Sequence, residues 1–187
     1  MLTLSEQLRA AHVRRWHIVQ VAREQTLAEH LFCVAVIAGA LANRMKWYEA
    51  LSHTTRLQLL NWALWHDMME VRTGDMPTPF KKALEQVAGE GVVEKAEELI
   101  DHDAMGMYRQ VRGTVVEAVV KMADLLEAIK FLSENAIGRH AFDVLAGIQR
   151  DFEAAVEKYD RAFPDNNIRA AAREVCSEMG VTWMHSL

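Results

Sequence analysis

Apolar residues in this chain recur at three- and four-residue intervals, and strict polar–apolar alternation is nearly absent. That periodicity predicts helices and no extended sheet. Only Pro77, Pro79 and Pro164 interrupt it, and the long stretches between them are rich in Ala, Leu, Glu, Met and Lys, which favour helix. "TLSE" at 3–6 and "TLAE" at 26–29 each fit a capping box, in which Thr caps and the Glu three residues on reaches back. The first predicts a short helix ending near His12 or Val13, the second a long apolar helix over 27–44. Between them "RRWHIVQVAREQ" reads as a connector carrying an aromatic and three arginines. Further helices are predicted over 55–69, 109–134 and 139–162. Pro79 is placed at the start of another, which "AGEG" at 88–91 divides in two. "FPDNN" is a turn before a terminal helix. An all-α fold of about six or seven helices follows. No internal repeat or inter-domain linker is seen, so residues 1–187 are expected to form one domain.

The length of 187 residues suits one domain with a sizeable core. Hydrophobic residues are 51% and charged residues 25%, with a net charge of −5, which argues against broad nucleic-acid binding but leaves room for a small anionic ligand. No apolar run is read as a membrane span and the N-terminus lacks the order of a signal peptide, so a cytoplasmic protein is expected. Cys33 and Cys176 sit in apolar helical patterns and read as buried free thiols.

Four residues carry candidate chemistry: His30, His66, Asp67 and Asp124. His30 lies in an otherwise strongly apolar helix, where a lone His ordinarily serves as a hydrogen-bonded core residue. His66 and Asp67 follow "LLNWALW" at the end of a predicted buried helix. Adjacent residues point about 100° apart on a helix, so both reach one ion only across its edge. The dipeptide alone is weak, since His102–Asp103 repeats it at what reads as a helix-end loop. Asp124 shares a helical face with Glu117 and Lys121, which alone is a solvated stripe. The signal is in the set, its order and the adjoining loop "RTGDMPTP".

His, then His-Asp, then Asp on successive helices resembles the HD-domain metal-dependent phosphohydrolases. "RRW" at 14–16, "EH" at 29–30, "HDMMEVRTGDMPTP" at 66–79 and "VKMAD" at 120–124 are similar to the bacterial 5′-deoxynucleotidase branch. The same pattern resembles phage relatives that hydrolyse dATP to deoxyadenosine and triphosphate. The short chain and Ile18, two residues after Trp16, favour that comparison. The resemblance implies an all-α HD-domain bundle in which His30, His66, Asp67 and Asp124 bind one divalent transition metal (Co, Mn, Zn, Ni or Fe). Glu70 would position and deprotonate the attacking water, and Asp75 would bind the sugar. Trp16 would pack on the deoxyribose and exclude a 2′-hydroxyl. Arg15, Lys81 and Lys121 would meet phosphate, and Ile18, Thr78 and Pro79 would flank the nucleotide. The resemblance also implies a homo-oligomer. dATP is the favoured substrate, with a 5′-deoxynucleotidase acting on monophosphates and a catalytically silent nucleotide-binding module as alternatives.

Overall fold

The structure, a computed structural model, describes residues 2–46 and 52–183. Among the described residues there are ten α-helical segments: α1 (Leu4–Gln7), α2 (Leu27–Arg44), α3 (His53–Trp65), α4 (Glu70–Thr73), α5 (Thr78–Ala88), α6 (Val92–Ile100), α7 (His102–Val111), α8 (Val115–Asn135), α9 (Gly138–Ala162) and α10 (Ile168–Met179). Among the described residues there is no strand, only isolated bridges pairing Arg14 with Thr26 and Val21 with Ala136.

α2 and α8 form the centre of the bundle. α8 packs on α9, α2 and α3, and α2 also meets α3 and α10. Val34, Ala38 and Leu41 of α2 and Val119, Met122, Ala123 and Leu126 of α8 are buried in one apolar cluster. By length and composition α2 is apolar enough to cross a membrane, contrary to the sequence expectation. Its place between three other helices accounts for its buried face, while Phe32 and Val36 are exposed.

Local signals explain most boundaries. Thr3 forms the complete capping box expected of it, but the α-helix lasts one turn and continues as a 3₁₀ turn over Leu8–Ala11. At Thr26 half the box forms: its hydroxyl accepts from the Glu29 N–H, while the Glu29 carboxylate pairs with Arg23. Thr78 opens α5 with Pro79 behind it, and the chain breaks around Gly89 and Gly91 before α6.

Three departures from the sequence expectation raise the helix count. The helix expected over 55–69 ends at Trp65, and α4 begins only at Glu70. The one expected over 109–134 is broken at Gly113, whose φ of 74° is readily adopted by glycine alone. His102–Asp103, read as a loop, instead opens α7 behind the cap of Asp101, whose carboxylate accepts from the Asp103 and Ala104 amides. Cys176 is buried as expected, whereas Cys33 is only half-buried.

Candidate active site

The break after Trp65 resolves the geometry of the His-Asp pair. His66 is the C-cap of α3, and Asp67 lies in the turn before α4. His66 still donates its amide to the Trp62 carbonyl, and the turn over residues 66–69 brings both side chains to one point. α2 brings His30 there and α8 brings Asp124. One donor atom from each of the four residues lies within 4.8 Å of all the others. His30 Nε2 is 3.7 Å from Asp67 Oδ2 and 3.5 Å from Asp124 Oδ1, and His66 Nε2 is 3.4 Å from Asp67 Oδ2. Donors about 2.1 Å from a shared ion lie about 3–4 Å apart, so the spacing is that of a ligand set.

The far side of each imidazole fixes which nitrogen faces the cluster. His30 Nδ1 is 2.6 Å from Glu127 Oε2, and His66 Nδ1 is 2.9 Å from the Ala63 carbonyl oxygen. Those partners accept, so Nδ1 donates in both rings and Nε2 is left for the site. Both Nε2 atoms are buried and have no hydrogen-bond partner. Two orphaned imidazole nitrogens facing two carboxylates fit a divalent metal held by mixed nitrogen and oxygen ligands.

Charge is concentrated around this point. Burial raises the Asp67 and Asp124 carboxyls, but the facing imidazoles, with Arg15 at Asp67 and Lys121 at Asp124, outweigh it and hold both well below the usual carboxylate range. For Asp124 the main cation is Lys121, whose ammonium donates to it at 2.9 Å. Burial pushes the His66 imidazole below its ordinary value. Glu70, at the start of α4, is 5% exposed with Oε2 unpartnered. Burial, and then the charges of Asp67 and Asp75, push its carboxyl up to about 9. For Arg15, burial opposes the charge, but Asp67, Asp124, Glu127 and Glu70 outweigh it. Its buried Nε and Nη1 have no hydrogen-bond partner.

The connector and the turn meet at Trp16. Its backbone takes a φ of 63°, which a bulky residue rarely adopts. Three contacts hold it there. Its amide donates to Asp75 Oδ2 at 3.3 Å, its indole Nε1 donates to Gln25 Oε1 at 2.8 Å, and its ring lies parallel to Phe131 with centroids 5.9 Å apart. The Arg15 guanidinium is 5.6 Å from the centroid of the same ring. Ile18, Thr78 and Pro79 are exposed. Lys81 sits 3.8 Å from Glu97 and is close enough to favour ionisation of Glu70.

Thus the four metal candidates, Glu70, Arg15, Lys121 and the Trp16–Asp75 pair form one cluster. Ile18, Thr78 and Pro79 lie on the connector and turn that border that cluster, exposed at its edge. Two members were not anticipated, Gln25 and Glu127. Glu127 lies three residues past Asp124 within apolar sequence, and a lone acid at a core position was the available signal. Nothing local marks Gln25, which precedes the cap of α2.

Comparisons with known proteins agree with this geometry. A family model described as 5′-deoxynucleotidase YfbR-like matches residues 6–163. A dATP triphosphohydrolase of cyanophage S-2L is 36% identical over 147 residues, 74% of each chain. Another, of Salmonella phage PMBT28, is 30% identical over 179 residues, 89% of this chain and 84% of the relative. A 5′-deoxynucleotidase of Pectobacterium atrosepticum is 34% identical over 145 residues, 70% of this chain and 71% of the relative. Among solved structures, the cyanophage S-2L HD phosphohydrolase DatZ, bound to dA and one catalytic Zn²⁺ ion, superposes with a TM-score of 0.71 at 28% identity, covering 96% of this chain and 95% of that one.

Proposed function

The chain belongs to the YfbR-like 5′-deoxynucleotidase family of HD phosphohydrolases, and on that premise we propose that it cleaves the bond between the 5′-oxygen and phosphorus of a deoxynucleotide, releasing the deoxynucleoside. The observation that carries this reading is the pair of orphaned imidazole Nε2 atoms converging on Asp67 and Asp124. In this reading residues 1–187 are one HD domain acting in the cytoplasm as a homo-oligomer. We favour dATP as substrate, giving deoxyadenosine and triphosphate. The support is the extent of similarity: a dATP triphosphohydrolase aligns over 89% of the chain, against 70% for the 5′-deoxynucleotidase compared above. The second reading, a monophosphatase acting on dNMPs, rests on that 34% identity and on the family model.

His30, His66, Asp67 and Asp124 would hold one divalent metal, with Zn²⁺ favoured by the ion in DatZ. When bound, it supplies Lewis acidity toward a phosphoryl oxygen and toward water. The protein supplies the remaining functions. Glu70 is buried, its Oε2 has no partner, and it is far more basic than an ordinary carboxylate; a bound cation would lower that basicity. It accepts the proton of the attacking water as the new phosphorus–oxygen bond forms. The 5′-oxygen leaves on the opposite side and takes a proton from solvent water, and Glu70 returns its proton to solvent to close the cycle. Arg15 remains charged in a buried position and grips phosphate with nitrogens that have no other partner. Lys121 and Lys81 add positive charge, and triphosphate would engage more of it than monophosphate.

Trp16 and Asp75 would read the sugar. An indole held in place by backbone, ring and Nε1 contacts is a rigid wall against which a 2′-hydroxyl finds no room. Asp75 is already anchored by the Trp16 amide and accepts from the 3′-hydroxyl. Thr78, Pro79 and Ile18 flank the nucleotide. Substitution of His66 or Asp67 by Ala, with deoxyribo- and ribonucleotides compared under Co, Mn and Zn, tests this reading. Loss of turnover in both variants and preference for deoxynucleotides are expected. Full activity in either variant refutes the metal site, and preference for a 2′-hydroxyl refutes the role of Trp16.

A further inference from the structure

A chain of three hydrogen bonds, buried at Gln25–Glu127 and Glu127–His30 and part-buried at Trp16, links the ring of Trp16 to the imidazole of His30. Trp16 Nε1 donates to Gln25 Oε1 at 2.8 Å, Gln25 Nε2 donates to Glu127 Oε1 at 2.5 Å, and His30 Nδ1 donates to Glu127 Oε2 at 2.6 Å. Gln25 is 1% exposed, Glu127 4% and His30 0%. The polarity of the chain is fixed by its members. An indole N–H can only donate and a carboxylate can only accept, so the Gln25 amide must face oxygen to Trp16 and nitrogen to Glu127. Turning the amide over would break two bonds in a place water does not reach.

His30 and Glu127 stand on the two central helices, and the connector that carries Trp16 and Gln25 runs into one of them. Gln25 directly precedes Thr26, the cap of α2, which is the helix that carries His30. Glu127 is three residues past Asp124 and four before Phe131 on α8, so one face of α8 supplies a proposed ligand, the carboxylate behind another ligand and the ring that stacks on Trp16. A side chain at the sugar and a side chain at the metal are thus braced by the same two helices and by each other.

We propose that Gln25 and Glu127 are positioning residues that couple the metal ligand to the sugar-reading ring, so that nucleoside and metal strengthen each other's binding. The proposal rests on the reading of His30 as a metal ligand and Trp16 as the wall against the sugar. Glu127 holds the His30 Nδ1–H, which keeps the Nε2 lone pair on the site side and raises the basicity of the ring. Gln25 passes that restraint to the indole. A metal that draws on the Nε2 lone pair makes Nδ1–H a stronger donor, and polarisation of a hydrogen-bonded chain extends along it. By linkage, a nucleoside that fixes the Trp16 ring tightens metal binding by the same factor.

Zinc affinity, measured by chelator competition with and without deoxyadenosine, separates coupling from mere structural support. In parallel, 5-fluorotryptophan-labelled protein reports on the ring by fluorine NMR, with the Trp16 resonance assigned through Trp16→Phe. In the wild type, zinc should shift the Trp16 resonance and deoxyadenosine should tighten zinc. Glu127→Gln should weaken zinc by about 10–100-fold. Gln25→Met keeps the volume and removes both bonds; it should abolish the zinc-induced shift and the deoxyadenosine effect on zinc. A wild-type resonance that ignores bound zinc, or a Gln25→Met protein that keeps the deoxyadenosine effect, overturns the coupling while leaving the metal site intact. A wild type that binds no zinc overturns both. If Gln25→Met does not fold, Trp16→Phe asks the same question from the other end: it removes the donor, and unchanged zinc affinity with the deoxyadenosine effect retained refutes the proposal.

Discussion

Replacing Glu70 by Gln should make the metal-free protein more stable and a much poorer catalyst. Glu70 is buried, its Oε2 has no partner, and burial followed by the charges of Asp67 and Asp75 lifts its carboxyl from 4.5 to about 9. In the unfolded chain the same group ionises near its ordinary value. Between the two values folding takes up a proton, so the stability of the native state falls as pH rises through that window. The slope is about 1.4 kcal/mol per pH unit, which from 4.5 to neutral pH accumulates to about 3 kcal/mol opposing folding. Below pH 4.5 the group is protonated in both states and the effect vanishes. Glutamine has the same shape and no charge to lose. Its amide needs partners of its own, but that cost does not depend on pH. Urea melts of chelator-treated wild type and Glu70→Gln at pH 5, 7 and 8 measure the difference. The stability gap should widen in favour of the variant by about 2–3 kcal/mol between pH 5 and pH 7, and further at pH 8. Turnover with metal restored should drop by about 10²–10⁴-fold. A gap independent of pH, or a fully active variant, would refute the reasoning.

Chelation should lower the melting temperature: at zinc 100-fold above its dissociation constant, linkage gives about 2.7 kcal/mol, or about 5–10 °C for a domain this size, and calorimetry with and without chelator reads it. Trp16→Ala should raise KM for deoxynucleotides and bring ribonucleotide turnover closer to it, since the wall is gone; parallel kinetics on dATP and ATP check this. Leu126→Ala, at a fully buried position in the shared core of α2 and α8, should cost about 2–5 kcal/mol in urea melts. Cys176, whose thiol burial pushes up to about 11, should resist a thiol reagent at pH 8 in the native protein, while the half-buried Cys33 reacts first; mass spectrometry of the labelled peptides distinguishes them.

Helical periodicity was strong enough to predict α2 over its full length and α9 to within a residue, because long apolar or amphipathic runs leave little choice. The break at 66–69 was not legible. "HDMMEV" contains no Gly or Pro and mixes good helix formers (Met, Glu) with indifferent ones (His, Asp, Val), so no local signal separates α3 from α4. Gly113 was visible but reads equally as a tolerated glycine inside a helix. The four clustered donors were legible through their order along the chain, while their convergence required the packing of α2, α3 and α8. Gln25 was beyond reach, because a glutamine before a cap residue is ordinary. Glu127 could have been suspected from its core register.

The most direct measurement is product identification from dATP, dAMP and ATP incubated with the metal-loaded protein, by chromatography and phosphorus NMR. Deoxyadenosine with intact triphosphate from dATP, and no comparable reaction with ATP, is the expected result. Deoxyadenosine and phosphate from dAMP with dATP untouched would move the chain to the monophosphatase reading. No deoxynucleoside from either deoxynucleotide under Co, Mn or Zn, with zinc bound, would contradict the assignment of this site to phosphoester hydrolysis.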